Sequence, residues 1–135
     1  MDIHSYRYSK PGAQHTHSYL WPVVLHWLEK ECREGAARYI FDLGCGNGAL
    51  AHELHERGYT IAGVDPSHEG IAIAEQCYPC LKLEVGSSEE NLVRRFGRFR
   101  FVVSLEVVEH VYDPRQYARA VYELLEPGGL AIIST

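Results

Sequence analysis

Two clusters of residues have types and a spacing suited to chemistry. The first, Asp42–Gly48, contains three glycines after an aspartate and is followed at some distance by Asp65. The second combines two carboxylates and one imidazole, at Glu106, Glu109 and His110. Glycines let a backbone turn sharply and approach a ligand closely, whereas carboxylates and imidazoles bind cations or move protons. The first cluster is therefore predicted to bind a ligand and the second to act on one.

The glycine cluster is predicted to lie between a strand and a helix. Tyr39–Leu43 is a short apolar run typical of a buried strand, and Asn47–Arg57 has helical spacing with Gly58 after it. Asp65 follows the next apolar run, so both features are expected at the carboxyl edge of one sheet. A carboxylate there can accept the hydroxyl hydrogens of a ribose. The pattern therefore predicts a nucleoside ligand.

The identity of the nucleoside depends on Asp42. Gly44, Gly46 and Ala49 also fit the G-x-G-x-x-A pattern of dinucleotide-binding folds. A dinucleotide would place a pyrophosphate against this turn, where a nearby carboxylate costs on the order of 1 to 4 kcal/mol. S-adenosylmethionine has a sulfonium and an ammonium instead, which the same carboxylate attracts. Asp42 therefore favours S-adenosylmethionine, unless its carboxylate only bonds to the amides of its own loop.

These motifs resemble those of class I S-adenosylmethionine-dependent methyltransferases. FDLGCGNG is similar to their first motif, GVDPS to their acidic second motif, and their general plan covers residues 39–135. The resemblance implies that the glycines line the methionine and ribose, that Asp65 holds the ribose hydroxyls and that Pro66 borders the adenine. Many members have an aspartate after the third strand, where this chain has Ser87. The predicted cofactor residues are Asp42, Gly44, Cys45, Gly46, Asn47, Gly48, Asp65, Pro66, Ser87 and Leu105.

The second cluster follows the fourth predicted strand. If a helical turn begins at Glu106, both carboxylates and the imidazole lie on one side and face the reaction centre. They can then hold Mg²⁺ or Mn²⁺, although no fourth protein ligand is evident, or His110 can act as a general base on a hydroxyl. Alternatively, Glu109 bonds to His110 or to backbone amides and shapes the pocket floor. The run EVVEHVYDP is similar to ubiquinone-biosynthesis O-methyltransferases, and Glu106, Glu109 and His110 are the predicted catalytic residues.

Strand and helix patterns alternate along the chain, which predicts a doubly wound, mainly parallel α/β sheet with helices on both faces, a Rossmann-like methyltransferase core. The predicted strands are Tyr39–Leu43, Thr60–Val64, Leu81–Val85, Phe101–Leu105 and Leu130–Ser134. The predicted helices are Ser18–Glu31, Asn47–Arg57, Ser67–Gln76, Glu90–Phe96 and one from Asp113 to the Pro-Gly-Gly at 127–129. Residues 1–135 are expected to form one domain with 1–34 as an N-terminal cap and helix, and the family's final strands are expected to follow Thr135.

Composition narrows the classes of partner. The net charge of −5 gives no positive field to attract nucleic acid. The N-terminus lacks the apolar run of a secretory signal and no stretch is apolar enough to span a bilayer, so a cytoplasmic location is expected. Cys77 and Cys80 form a single CxxC, half of a zinc site, and are interpreted as buried thiols. An exposed fifth strand predicts pairing into a homodimer.

The predicted function is transfer of a methyl group from S-adenosylmethionine to a small-molecule acceptor, at oxygen. Two alternatives stay open: a module that binds S-adenosylmethionine without catalysis, and a nicotinamide-dependent oxidoreductase. The acceptor is expected above the first and fourth strands, the usual crevice of such sheets. Aromatic and histidine side chains form either its roof or a packed cover, namely Tyr6, Tyr8, His15, His17, Tyr19 and Trp21.

Overall fold

The computed structural model describes residues 19–135, which form a sheet of five parallel strands in the order β3-β2-β1-β4-β5. The strands are β1 (Tyr39–Leu43), β2 (Thr60–Asp65), β3 (Lys82–Val85), β4 (Phe99–Leu105) and β5 (Leu125–Ser134). The helices are α1 (Trp21–Glu31), α2 (Ala49–Glu56), α3 (His68–Cys77), α4 (Leu92–Phe96) and α5 (Pro114–Leu124), with a 3₁₀ turn at Val108–His110. The predicted α/β fold with a mainly parallel sheet is confirmed.

The sheet is covered on both faces, which explains why its central strands β1, β2 and β4 are mostly apolar and buried. Successive residues of β1 point to opposite sides, with Ile40 in one buried cluster and Phe41 in the other. The cluster around Ile40 contains residues of α1, α2 and α3, and the cluster around Phe41 contains residues of α4 and α5. The strand order reverses between β1 and β4, and this switch point leaves a crevice at the carboxyl ends of the strands.

The predicted helix ends agree with the structure to within a few residues. Gly58 has φ 93° directly after Arg57, the C-cap of α2, as expected of a helix-terminating glycine. Ser67 caps α3 by accepting a hydrogen bond from Gly70 N, and Asp113 caps α5 by accepting from Arg115 N and Gln116 N. These caps satisfy amides that have no partner within their helices. Ser67 lies two residues after Asp65, and Asp113 lies three residues after His110, so both caps are close to predicted site residues.

The predicted start of the last strand is wrong. Helix α5 ends at Leu124, and β5 begins at the next residue, where Leu125 pairs with Phe99. The register then shifts, so that Leu130 pairs with Phe101, and residues 126–129 form an irregular excursion between the two pairs. The Pro-Gly-Gly sequence therefore interrupts a strand instead of ending a helix. Strand β5 lies at the edge of the sheet, and the predicted homodimer through it stays a prediction.

Other expectations concern the surface and the N-terminus. Cys77 and Cys80 are exposed, so their interpretation as buried thiols is wrong. No helix within residues 19–135 is both long enough and apolar enough to cross a membrane. Of the proposed aromatic roof, Tyr19 is exposed and Trp21 is half-buried. The other members, Tyr6, Tyr8, His15 and His17, lie outside the described residues, as does Ser18 at the predicted start of α1.

Candidate active site

The glycine turn leaves β1 and is bonded to the end of β2. Gly44 N and Cys45 N both donate to Val64 O, at 2.8 Å and 3.0 Å. Gly48, whose φ is 85°, then provides the left-handed residue from which α2 begins, and its amide donates to Cys45 O at 3.0 Å. Asn47 Oδ1 accepts from Ala49 N at 3.2 Å in the first turn of the helix. These bonds within the protein define the shape of the turn.

Asp65 joins the same turn from the end of β2. Its Oδ2 accepts from Gly46 N and its Oδ1 from Ser67 N, both at 2.9 Å. Burial raises the pKa of Asp65, and the two amide bonds act in the opposite direction. A carboxylate oxygen has more than one lone pair, so each can accept a further hydrogen from a diol. Asp65 thus organises the turn and retains the capacity to bind ribose hydroxyls.

Asp42 is the second carboxylate of the turn, and its surroundings differ. Asp42 is 3% exposed, and no hydrogen bond is among the causes that set its pKa. Burial, followed by repulsion from Asp65, raises the pKa of Asp42 from 3.8 to about 7. The amides of Gly44, Cys45 and Gly46 bond to Val64 O and Asp65 instead of to Asp42, which counts against the alternative in which Asp42 bonds to its own loop. The ionised form of a buried carboxylate is stabilised by a cationic partner.

Gly63 of β2 makes room beside this carboxylate. It pairs with Asp42 in the sheet, and a methyl group on it would lie 2.6 Å from Asp42 O and 3.1 Å from Asp42 Cβ. A methyl group there would also approach Cys45 Cβ at 3.2 Å. No side chain larger than hydrogen fits at this place without displacing the turn. Sequence reasoning missed Gly63 as a site residue, although a glycine inside a strand signals close approach of another backbone.

The predicted helical turn at Glu106 is wrong. Glu106 has φ 56°, a left-handed conformation, and the 3₁₀ turn begins only at Val108. The three catalytic candidates therefore do not follow the i, i+3, i+4 spacing of one α-helix face. Glu109 Oε1 lies 3.8 Å from His110 Nε2, an ion-pair distance that is too long for a hydrogen bond. The direct Glu109–His110 bond considered from the sequence is therefore absent in this geometry.

The metal hypothesis is not supported by the arrangement of donors. Within residues 19–135 no group of three or more His, Cys, Asp or Glu side chains is placed so that it could hold an ion. Glu106 leaves β4 in a direction set by its left-handed backbone, and not by the helical turn on which the hypothesis depended. The donors of residues 19–135 thus do not form the metal site that the hypothesis requires.

The loop after β3 borders the crevice next to the end of β2. Gly86 N donates to Asp65 O at 3.1 Å, which ties this loop to the end of β2. Ser87 N donates to Glu90 Oε1 at 3.1 Å, and Ser87 Oγ accepts from Glu89 N at 3.2 Å. Glu90 Oε2 in turn bonds to Arg95 Nη1 at 2.6 Å. Ser87 Oγ is the acceptor in its bond with Glu89 N, and that bond does not use the hydroxyl hydrogen.

The remaining predicted cofactor residues lie at the same edge. Pro66 is half-buried directly after Asp65, and Leu105 is buried at the end of β4. Val107 packs over the glycine turn, since a methyl group on Gly44 would overlap Val107 Cγ2. Val107 was not predicted, because an apolar residue between two acidic ones has no distinctive signal in the sequence. The structure therefore joins the two predicted clusters through a contact between Val107 and Gly44.

Comparisons with known proteins agree with this geometry. A family model described as a methyltransferase domain matches residues 13–135. The ubiquinone biosynthesis O-methyltransferase of Caulobacter sp. (strain K31) is 38% identical over 100 residues, which cover 71% of this chain and 40% of that protein. The protein of the same name from Pseudomonas aeruginosa (strain LESB58) is 32% identical over 123 residues, covering 84% and 50%. The chain spans about half the length of the curated relatives it matches.

Solved structures support the fold. The PH0226 protein from Pyrococcus horikoshii OT3 superposes with a TM-score of 0.72 at 22% identity, covering 90% of this chain and 54% of that one. Magnesium protoporphyrin IX methyltransferase (ChlM) from Synechocystis PCC 6803, solved with bound SAM, gives a TM-score of 0.69 at 19% identity, covering 82% and 55%. The chain belongs to the methyltransferase domain family, and the predicted class, S-adenosylmethionine-dependent methyltransferases, is confirmed.

Proposed function

We propose that this chain binds S-adenosylmethionine over the glycine turn and transfers its methyl group to an oxygen of a small molecule. The observation that carries the proposal is Asp42, a buried carboxylate at the turn whose pKa is raised by burial and by repulsion from Asp65. The sulfonium and ammonium of S-adenosylmethionine supply positive charge that favours the ionised form of this carboxylate. The relatives named ubiquinone biosynthesis O-methyltransferases support an oxygen acceptor.

The ligand's parts correspond to groups along the crevice. The methionine end is assigned to the turn beside Asp42, the ribose to Asp65, and the adenine to the loop that contains Ser87. Pro66 and Leu105 would border the adenosyl group, because both lie at the carboxyl ends of strands next to the turn. Ser87 Oγ can accept one hydrogen from the adenine amino group or donate its own to a ring nitrogen. This assignment gives the ribose and the adenine one polar partner each.

Methyl transfer to oxygen is an in-line displacement. The bond between sulfur and the methyl carbon breaks as the bond between the acceptor oxygen and that carbon forms, and the neutral thioether leaves. The hydroxyl proton of the acceptor moves to His110, and Glu109 at 3.8 Å stabilises the imidazolium that results. Glu106, at the start of the same loop, is assigned to the acceptor side of the crevice. Holding donor and acceptor at attack distance supplies most of the rate.

The cofactor assignment is tested by calorimetric titration with S-adenosylhomocysteine and, in parallel, with NAD⁺. We expect binding of S-adenosylhomocysteine only. Asp65→Ala should weaken it by about tenfold or more, since the variant loses bonds to the ribose and to Gly46 N. Glu69→Ala, which removes an exposed carboxylate in the first turn of α3, is the matched control and should bind as the native chain does. Binding of NAD⁺, or equal affinity in Asp65→Ala, contradicts the assignment.

The acceptor chemistry is tested by a screen of catechols and phenols with labelled S-adenosylmethionine, with and without a chelator. We expect methyl transfer to oxygen that a chelator does not abolish. With an acceptor found in this way, His110→Ala should lower kcat by at least about tenfold, because the acceptor loses its base. Affinity for S-adenosylhomocysteine should stay within about twofold of native, since the imidazole acts on the acceptor. A lowered affinity with unchanged kcat would place His110 in the cofactor site instead.

A further inference from the structure

The loop that carries the catalytic candidates begins with an unfavourable backbone conformation. Glu106 has φ 56° and is the one residue other than glycine within 19–135 that has a positive φ. A left-handed conformation costs a residue with a side chain roughly 1 to 2 kcal/mol. Such a residue persists where its surroundings stabilise it, and it is commonly found at functional sites. The contacts that hold Glu106 in this conformation therefore influence the whole loop.

The end of β5 supplies those contacts. Glu106 N donates to Ser134 Oγ at 3.0 Å and also to Ser134 O at 3.2 Å. Ser134 itself pairs with Leu105 as the last pair of the ladder between β4 and β5. The carbonyl contact is available to any residue at position 134, whereas the hydroxyl contact requires serine or threonine. The side chain of Ser134 thus adds a specific bond at the residue where β4 turns into the loop.

The left-handed turn places the next residues on the cofactor side. Val107 lies against Gly44, since a methyl group on Gly44 would overlap Val107 Cγ2. His110 N donates to Val107 O at 2.9 Å, so the 3₁₀ turn with the proposed base starts from the same residue. A continuous set of contacts therefore runs from Ser134 through Glu106 and Val107 to Gly44.

We propose that Ser134 is a positioning residue whose hydroxyl holds the turn at Glu106, and thereby sets the distance between the glycine turn and the loop that carries His110. The proposal rests on the function proposed above, in which the glycine turn binds the cofactor and the loop that carries His110 faces the acceptor. Ser134 lies far from both clusters in the sequence and has no role in the chemistry itself. The Ser134 hydroxyl contributes by keeping Val107 in contact with Gly44.

Two substitutions in the full chain test the proposal. In Ser134→Ala, hydrogen exchange of the Glu106 amide measured by NMR should accelerate about fivefold, and affinity for S-adenosylhomocysteine measured by calorimetry should fall about fivefold, the value of one lost hydrogen bond. Ser134→Thr keeps a hydroxyl and suits a strand, so it should restore both quantities to within about twofold of native. An unchanged exchange rate in Ser134→Ala, or no restoration by threonine, overturns the proposal.

A double-mutant cycle separates positioning from a general loss of stability. Glycine adopts the left-handed conformation without strain, so in a Glu106→Gly background Ser134→Ala should change affinity for S-adenosylhomocysteine by less than about twofold. The same fivefold loss in both backgrounds would show that Ser134 acts by another route and would overturn the proposal. If the native chain does not bind S-adenosylhomocysteine at all, the proposed function fails, and the exchange rate of the Glu106 amide alone decides whether Ser134 holds the turn.

Discussion

Replacing Gly44 with alanine is expected to abolish binding of S-adenosylhomocysteine. Gly44 has φ 90°, and a methyl group on it would overlap Val107 Cγ2 while lying 3.5 Å from Val107 Cβ. The variant therefore suffers backbone strain and overpacking together, about 2 to 5 kcal/mol in total. The turn must move away from Val107, and its amides then leave the positions from which they bond to Val64 O. Calorimetric titration and urea unfolding measure the two consequences.

Another glycine provides a control for the strain alone. Gly35 has φ 77°, and a methyl group on it has no atom within 4 Å. Gly35→Ala should thus lose only about 1 kcal/mol of stability and bind S-adenosylhomocysteine normally. Adding Val107→Ala to Gly44→Ala removes the overlapping Cγ2 and should recover part of the affinity. Native affinity in Gly44→Ala would refute the contact between the two loops.

Much of the fold could be predicted because local patterns and the parallel architecture agree. Apolar runs separated by helical spacing gave the strand and helix series, and Gly58, Ser67 and Asp113 marked helix ends by their side-chain chemistry. The error at β5 arose because Pro-Gly-Gly is a strong local signal for a chain break. In the structure the pairing of Leu125 with Phe99 outweighs that signal, and the Pro-Gly-Gly forms an excursion within the strand.

The site was predicted only in part, for physical reasons. The positions of Asp42 and Asp65 follow from where their strands end, which the apolar pattern determines. The conformation of Glu106 depends on Ser134, a residue 28 positions away, and on the space left by Gly44, so no local pattern indicates it. The burial of Asp42 likewise depends on what packs around the turn. The conformation of Glu106 and the burial of Asp42 therefore depend on tertiary contacts that no local sequence pattern indicates.

Asp42→Asn is expected to stabilise the protein at pH 8 and to weaken cofactor binding. The pKa of Asp42 is about 7 in the folded protein against 3.8 for an ordinary aspartate. Between these values the folded state binds the proton and the unfolded state does not, so native stability falls as pH rises through this window. Above it the buried charge costs on the order of 4 kcal/mol, which asparagine avoids. Urea unfolding at pH 4 and pH 8 should show a gain for the variant only at pH 8.

Exposed Asp113 provides a control, because asparagine caps a helix as well as aspartate does and Asp113→Asn should leave stability nearly unchanged at both values of pH. Equal pH dependence in Asp42→Asn and the native chain would contradict the assigned pKa.

The same carboxylate links cofactor binding to proton release. A cation beside Asp42 favours the ionised form, so S-adenosylmethionine should release close to one proton when it binds near pH 6. Calorimetry in buffers with different ionisation enthalpies measures this number, and Asp42→Asn should reduce it to near zero.

The Asp42→Asn variant should also lose more affinity for S-adenosylmethionine than for S-adenosylhomocysteine, because the product lacks the sulfonium charge. An equal loss for both ligands would mean that Asp42 faces only the ammonium, whereas no loss for either would remove Asp42 from the cofactor site. The ionised carboxylate of Asp42 thus destabilises the folded protein but favours the charged methyl donor over the uncharged thioether product.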